Sequence, residues 1–310
     1  MIDNLGNRMK RSEVVTDSYL PRRIPCVLRL DGKSAHSYTR GFERPFDDSF
    51  RFCMEYASYR LCKEIENARF GYTQSDEISI LLIDYKDVKT EAWFDYRIQK
   101  MASIAASICT AAFTEAILFK IPWIYEKKRS LKFDCRVFSL PKEEVTNYFL
   151  WREQDCTRNS IQAVGQASFS AKQLHGKSCD DIQEMLFQEK GINWNDTPTR
   201  YKRGVSLFKM NQVAKNCNPK NPDKEVERLK WVKDYEIPII TQNRDYIEQW
   251  VLPVPPYSNY SVMGDGKIVC EDLDISKVFI SSKEVVKSLD ETTENFKKNI
   301  VSAPIDIEER

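Results

Sequence analysis

The chain is predicted to adopt an α+β fold, an antiparallel or mixed sheet with helices packed on one side, followed by a largely helical C-terminal region. Two observations carry this. Four short β-type runs, at 26–30, 70–73, 78–83 and 131–138, alternate with two long stretches of helical spacing, at 46–67 and 93–119, in the order strand, helix, hairpin, helix, strand. The composition, 42% hydrophobic and 30% charged over 310 residues, is that of a chain able to bury one good-sized core or two small ones.

Residues 1–23 are polar, basic in places, and of helical type as far as Pro21. The first strand, Cys26 to Leu30, is stopped by Asp31 and Gly32. Phe50, Met54, Ala57, Leu61 and Ile65 then recur at steps of three and four, and Asp47 or Asp48 is placed to cap their helix. GYTQSDEISILLID follows, two β-type runs flanking Gln74 to Glu77, which marks a hairpin with acids in its turn. From Ala102 to Ala112 the second long helix carries no charge, which predicts a central, deeply buried element. FDCRVF reads as a strand with Asp134 and Arg136 on one face and Phe133 and Cys135 on the other. Beyond it, 143–174 and 179–189 are helical, Val205 to Met210 is a strand, and Glu236 to Leu252 reads as a strand then a helix. After the Pro-rich PVPPY, the tail has a turn signal at Gly264-Asp265-Gly266 and a weakly helical Ser/Lys/Glu-rich segment. No internal repeat or low-complexity tract is present.

Composition excludes several classes. A formal net charge of +1 means that any nucleic-acid binding must come from local basic patches. Nine cysteines, with no C-x-x-C pair and only two histidines, argue against a zinc site or a disulfide framework and for a reducing cytoplasm. The start lacks a signal-peptide core, and no span of roughly 20 apolar residues suggests a membrane helix.

The chemistry concentrates at two acids. Alone, Asp31 at a strand end reads as a turn former. Asp76 and Glu77 change that reading: successive strand side chains point opposite ways, and Asp76 is taken as the one that joins Asp31. Two carboxylates and the Gly32 carbonyl make a hard-oxygen set suited to Mg2+. Two such ions about 3.5–4 Å apart serve in-line displacement at phosphorus. Lys33, Ser34 and His36 supply a cation, a hydroxyl and an imidazole for triphosphate oxygens. Gly32-Lys33-Ser34 is not a Walker A end, because Val27 stands five positions before Gly32, and Gly176-Lys177-Ser178 fails likewise at Ala171. Arg152, Asp155, Arg158 and Asn159 fall within two helical turns, either as internal ion pairs or facing a nucleotide or RNA. Arg200, Lys202 and Arg203 around Tyr201, with basic residues on to Lys233 near Trp231, suit a phosphate backbone and a stacked base, or equally an ordinary solvated surface.

RLDGKSAHSYTRGFERPFD, GYTQSDEISILL, FDCRVF and YFLWREQDCTRNS, in this order, resemble the tRNA(His) guanylyltransferase family and its relatives, the 3′-to-5′ nucleotide-adding polymerases, over roughly residues 1–252. The resemblance implies a polymerase-palm-like domain at 1–140, a helical and strand region for tRNA or nucleotide contact at 141–252, and leaves 253–310 unassigned. It implies two Mg2+ ions held by Asp31, Gly32 and Asp76, and GTP or ATP along Asp31, Gly32, Lys33, Ser34, Ala35 and His36, closed by Ser75 and Asp76. Glu77 joins Asp31 and Asp76 as a catalytic candidate, in a supporting role. Arg29, Arg152, Arg158, Asn159, Arg200, Lys202 and Arg203 are candidate tRNA or nucleotide contacts, and a homotetramer is implied.

One departure bears on substrate. After WREQDC, eukaryotic enzymes of the family carry His-Ile-Asn-Asn-Leu-Tyr-Asn, whereas this chain has Thr157, Arg158, Asn159, Ser160, Ile161, Gln162 and Ala163, with Asn159 alone retained. That run resembles the bacterial, archaeal and phage-type relatives, which extend tRNA 5′ ends opposite a template. The expectation is a tRNA 5′-end repair nucleotidyltransferase, with single-guanosine addition to tRNA(His) as the alternative and a palm-type nucleotide cyclase more distant. A non-catalytic tRNA-binding protein is disfavoured by the intact acids.

Overall fold

The computed structural model describes residues 4–215, 225–253 and 268–269; the C-terminal unit, 272–310, lies outside them, as do the expected turn at 264–266 and the weak helix of the tail. Strands β1 (Cys26–Gly32), β2 (Ala68–Gln74), β3 (Glu77–Leu82), β4 (Phe133–Ser139), β5 (Val205–Lys215), β6 (Glu225–Asp234) and β7 (Ile268–Val269) form one sheet in the order β4-β1-β3-β2-β5-β6-β7. Every pairing is antiparallel. The helices are α1 (Leu5–Val14), α2 (Ala35–Tyr38), α3 (Asp48–Glu64), α4 (Ile98–Lys120), α5 (Pro122–Lys128), α6 (Lys142–Ser168), α7 (Ala171–Leu174), α8 (Cys179–Lys190), α9 (Thr199–Lys202) and α10 (Asp245–Glu248).

The expected α+β arrangement is what forms. α3 packs on β2, and α4 on β4 and β1. The C-terminal region supplies the cover for the other face: Val27, Phe70, Tyr72, Leu81 and Phe208 of the strands meet Val145, Tyr148 and Phe149 of α6, with Ile247 and Trp250. The period of two explains the division, since Val27 and Leu81 point to α6 while their neighbours Leu28 and Ile80 point away from it. Phe70 is the hub of the α6 side, edge-to-face with Phe149 at 5.1 Å and stacked with Trp250 at 6.1 Å.

Local chemistry sets the element ends. The Asp47 carboxylate accepts from the Phe50 N–H at 2.8 Å and starts α3. A capping box of Ser178 and Asp181 starts α8. Five expectations are corrected. α1 ends at Val14, well before Pro21, and buries none of its residues. β1 runs on past Leu30, because Asp31 and Gly32 still pair with β3 and β4. α4 is not deeply buried: Met101, Ala105, Cys109, Ala112 and Phe113 face the core, but Ile104, Leu118 and Phe119 are exposed. Absence of charge made α4 look central, and the same composition makes it long and apolar enough to cross a membrane, contrary to the expectation that no span would be. No strand forms at 236–240; Pro238 has no donor for a ladder, and the Ile240 N–H goes to the Glu153 carboxylate at 3.2 Å.

The tightest approach between layers is at Gly71, where a Cβ would lie 2.6 Å from Cys62 Sγ. Gly71→Ala is expected to cost about 1–3 kcal/mol by denaturant unfolding, and distinctly less in a Cys62→Ala background. Equal costs in the two backgrounds would show that the contact does not limit the site.

Candidate active site

The end of β1 and the turn between β2 and β3 bring the acids together. Asp31 pairs in register with Glu77 on β3 and Asp134 on β4. Strand alternation therefore places Glu77, not Asp76, beside Asp31 in the ladder, which corrects the sequence argument. Asp76 escapes alternation because it sits in the two-residue turn Ser75-Asp76, with Ser75 at φ 50°. The Gly32 N–H donates to the Asp76 carbonyl at 3.1 Å, and the Ser75 hydroxyl donates to the Asp76 carboxylate at 3.1 Å. The bare backbone suits this approach, since a Cβ on Gly32 would lie 2.9 Å from Leu131 Cδ2 and 3.2 Å from Asp76 Cβ and crowd both.

Burial, and then the nearby Asp31 charge, raise the Asp76 carboxyl above its ordinary range; its own N–H, the Ser75 hydroxyl and the Gly32 N–H offset part of this. These are the largest influences on it, and none of them is a lysine or arginine. Among the described residues, no group of three or more His, Cys, Asp or Glu gathers as a metal cage. Two carboxylates and a backbone carbonyl at Gly32 fit Mg2+ all the same, because that ion keeps waters and takes substrate phosphates as ligands.

Glu77 is differently placed. It is 5% exposed, with Arg29 at 2.6 Å and Arg152 at 3.0 Å from Oε2. Burial raises its carboxyl, and the two guanidinia pull it back. Arg152 is 3% exposed and lies 3.3 Å from the Trp151 ring centroid, so it is closed off from RNA. Arg29 and Arg152, expected as tRNA or nucleotide contacts, thus hold the strand bearing Glu77. Asp155 gathers the rest of the helical cluster, pairing with Arg158 and accepting from Asn159 at 3.3 Å. Arg158 and Asn159 remain exposed.

Lys33, Ser34 and His36 stand exposed around the start of α2, while Ala35 is buried. Ser34, at φ 57°, precedes α2 without spending its hydroxyl on a cap. His36 and Ser75 border a cavity of roughly 290 Å3 walled by Phe42, Phe46, Phe50, Gln74, Asn159 and Tyr201. Its polar wall was not foreseen in the sequence. Asp48 accepts from the Tyr201 hydroxyl and binds Arg51, which also pairs with Glu55. Lys233 at 2.9 Å and the Tyr235 hydroxyl at 2.8 Å complete Glu55. The one available signal was Glu55 itself, a charge adjacent to Met54 in the apolar row of α3.

The described basic residues around Tyr201, and Lys233, are engaged within the fold. Tyr201 stacks on Phe46 at 4.3 Å, Arg203 Nε donates to the Ile237 carbonyl at 2.7 Å, Lys202 Nζ bonds the Asn195 carbonyl, and Lys233 is buried. Arg200 lies 3.9 Å from Asp48. These residues build the cavity and its supports, which corrects the reading of Tyr201, Lys202, Arg203 and Lys233 as an RNA-facing strip.

The raised Asp76 carboxyl has a definite sign. Its folded value lies above the unfolded value near 3.9, so the charged form weakens the fold at neutral pH; the penalty fades as pH falls through the folded value and is gone below about 4. In chelator, Asp76→Asn should raise Tm at pH 7, with the gain shrinking on acidification. Added Mg2+ should raise Tm of the wild type and not of the variant. A variant less stable at pH 7, or an equal Mg2+ response in both, would contradict the assignment.

Comparison with known proteins identifies the family. The family model described as Thg1: tRNAHis guanylyltransferase matches residues 6–141, and the Thg1 C terminal domain matches residues 143–248. A bacterial tRNA(His) guanylyltransferase-like protein solved in complex with ATP is 40% identical, with TM-score 0.71, covering 81% of this chain and 100% of that one. A second such structure, in complex with GTP, is 37% identical with TM-score 0.63, covering 80% of this chain and 98% of that one. Curated relatives include an uncharacterised protein of Acanthamoeba polyphaga mimivirus, 29% identical over 238 residues, covering 70% of this chain and 80% of the relative. The probable tRNA(His) guanylyltransferase of Dictyostelium discoideum is 29% identical over 208 residues, covering 61% of this chain and 77% of the relative. With both family models matched in sequence along one fold and one acid-bearing turn, this chain belongs to the tRNA(His) guanylyltransferase family and is a nucleotidyltransferase of that kind.

Proposed function

We propose that the protein adds nucleotides to the 5′ end of tRNA in the 3′-to-5′ direction, as a template-dependent repair enzyme. The observation that carries this is the pair Asp31 and Asp76, with the Asp31 charge raising the Asp76 carboxyl, beside the exposed Lys33-Ser34-His36 run and a cavity that opens at Ser75. In the first step, a 5′-phosphate oxygen of the RNA attacks the α-phosphorus of ATP and pyrophosphate leaves. GTP is the other nucleotide that the reading admits. In the second, the 3′-hydroxyl of the incoming nucleoside triphosphate attacks the activated 5′ phosphorus, and the activating nucleotide leaves as its monophosphate.

Asp31, Asp76 and the Gly32 carbonyl would hold Mg2+, two ions in this reading, whose charge would neutralise phosphate oxygens and polarise the phosphorus under attack. Lys33, Ser34 and His36 bind phosphate oxygens directly. Glu77, held by Arg29 and Arg152, keeps the turn that carries Asp76 in place. Watson–Crick pairing chooses the added base, so the protein need only grip the RNA end through its backbone.

The template-dependent reading is supported by the run Thr157 to Ala163, which departs from the eukaryotic pattern and in which Asn159 borders the cavity. The curated relatives named tRNA(His) guanylyltransferase favour the second reading, a single guanosine added to tRNA(His). The reading also carries a cytoplasmic homotetramer, open to light scattering of the purified protein.

Two measurements test it. Asp31→Ala and Asp76→Ala should each abolish nucleotide addition while leaving circular dichroism unchanged, and near-wild-type addition by either would sink the metal assignment. For template dependence, one tRNA lacking its first nucleotide is prepared with each of the four opposing bases. The complementary nucleotide should enter each time; guanosine in all four would replace repair with the guanylyltransferase reading.

A further inference from the structure

Gln74 is the last residue of β2, closes the hairpin ladder opposite Glu77, and precedes the turn that carries Asp76. It is 6% exposed, lines the cavity, and its Oε1 is buried with no hydrogen-bond partner. Among the described residues, the buried polar atoms lacking a partner that belong to the lining of this cavity are Gln74 Oε1 and Arg200 Nε. A buried amide oxygen is nearly always satisfied in a finished fold, and an orphan in a cavity wall marks a place that a ligand completes.

The surroundings say what kind of ligand. Phe42, Phe46 and Phe50 give the cavity apolar walls, and Ser75 and His36 connect it to the acids. A planar base fits such walls, with its edge left to the polar group at the strand end. Oε1 accepts only, so it requires an N–H from that edge. The 6-amino group of adenine supplies one beside a ring-nitrogen acceptor, the pattern that a side-chain amide matches with two parallel hydrogen bonds. The 6-oxo group of guanine would set oxygen against oxygen.

We propose that Gln74 is a specificity-determining residue that reads the base of the activating nucleoside triphosphate, its Oε1 accepting from the 6-amino group of adenine. This rests on the reading of the cavity as the nucleotide site. It adds a residue outside the phosphate-binding run and assigns a role that neither acid performs.

The test compares ATP with purine riboside 5′-triphosphate, which differs only in lacking the 6-amino group. Activation of a 5′-monophosphorylated tRNA by the full-length protein should favour ATP in kcat/KM by about 10- to 100-fold, the size of one well-placed hydrogen bond. In Gln74→Leu the ratio should fall close to one, and in Gln74→Glu, which keeps an acceptor, a preference for ATP should persist. Equilibrium titration of both nucleotides in the absence of RNA gives the same ratio independently of catalysis. A wild-type ratio near one, or an undiminished ratio in Gln74→Leu, overturns the role of Gln74. If Gln74→Leu does not fold, Gln74→Met and the wild-type ratio decide. Failure of the functional reading looks different: neither nucleotide is transferred to RNA, whatever the binding ratio.

Discussion

The arrangement depends on one buried charge, Glu77, gripped from two directions. Arg29 comes from β1 and Arg152 from α6, so a single carboxylate ties the strand bearing Asp31, the turn bearing Asp76 and the long C-terminal helix into one body. Removing ions from water is expensive, and a pair of this kind adds little net stability over an apolar core. What it provides is position. With either guanidinium gone, a largely desolvated carboxylate beside the Asp76 turn would be undercompensated, and the turn would have reason to move. Tyr148 reinforces the same seam, its hydroxyl 2.8 Å from Ser79 Oγ two residues further along β3. Residues after 140 therefore complete the site, and β5 extends the same sheet at the edge of β2.

A second polar network does for the cavity what Glu77 does for the acids. α3 turns its apolar row toward the sheet and presents Asp48, Arg51 and Glu55 elsewhere, at spacings of three and four. Both acids are answered from far along the chain, Asp48 by Tyr201 and Glu55 by Lys233 and Tyr235. Glu55 and Lys233 are both almost fully buried, which makes their pairing a condition of closing β6 over α3. The cavity wall is thus built from contacts that span most of the described chain.

That span explains what could be seen in advance. Short-range chemistry was legible: the β1 run, the acidic hairpin, the Asp47 cap and the order of strands and helices follow from periodicity and turn residues close in sequence. Asp31, Gly32 and Asp76 were legible for the same reason. Strand alternation does not join them, because it governs a ladder and Asp76 lies in a turn. The partners of Arg152 and Lys233 were not legible, since a basic residue looks the same whether it will meet RNA or a carboxylate 75 or 178 positions away. α4 shows the opposite limit: its uncharged middle invited burial, yet Ile104, Leu118 and Phe119 are exposed. Nor does Pro238, in an apolar run, announce that Glu153 will take the donor of Ile240.

Set side by side, the two acidic positions separate support from chemistry. Glu77 is gripped by its two arginines, which offset part of the cost of burying it, and its charge is spent inside the fold. Asp76 is buried with Asp31 for a neighbour, and the hydrogen bonds it accepts offset only part of that cost, so its charged form weakens the protein that carries it. Such a penalty persists in a native structure where something outside the chain relieves it. The same logic covers Gly32, where a side chain would crowd Asp76, and Gln74, whose buried oxygen lacks a donor. Three neighbouring residues around one turn are therefore incomplete in different ways: a surplus of negative charge, a backbone kept bare, and an acceptor without a donor. In the proposed function, a nucleoside triphosphate with its accompanying cation would answer all three at once, the cation at the acids, the phosphates along Lys33 to His36, and the base at Gln74.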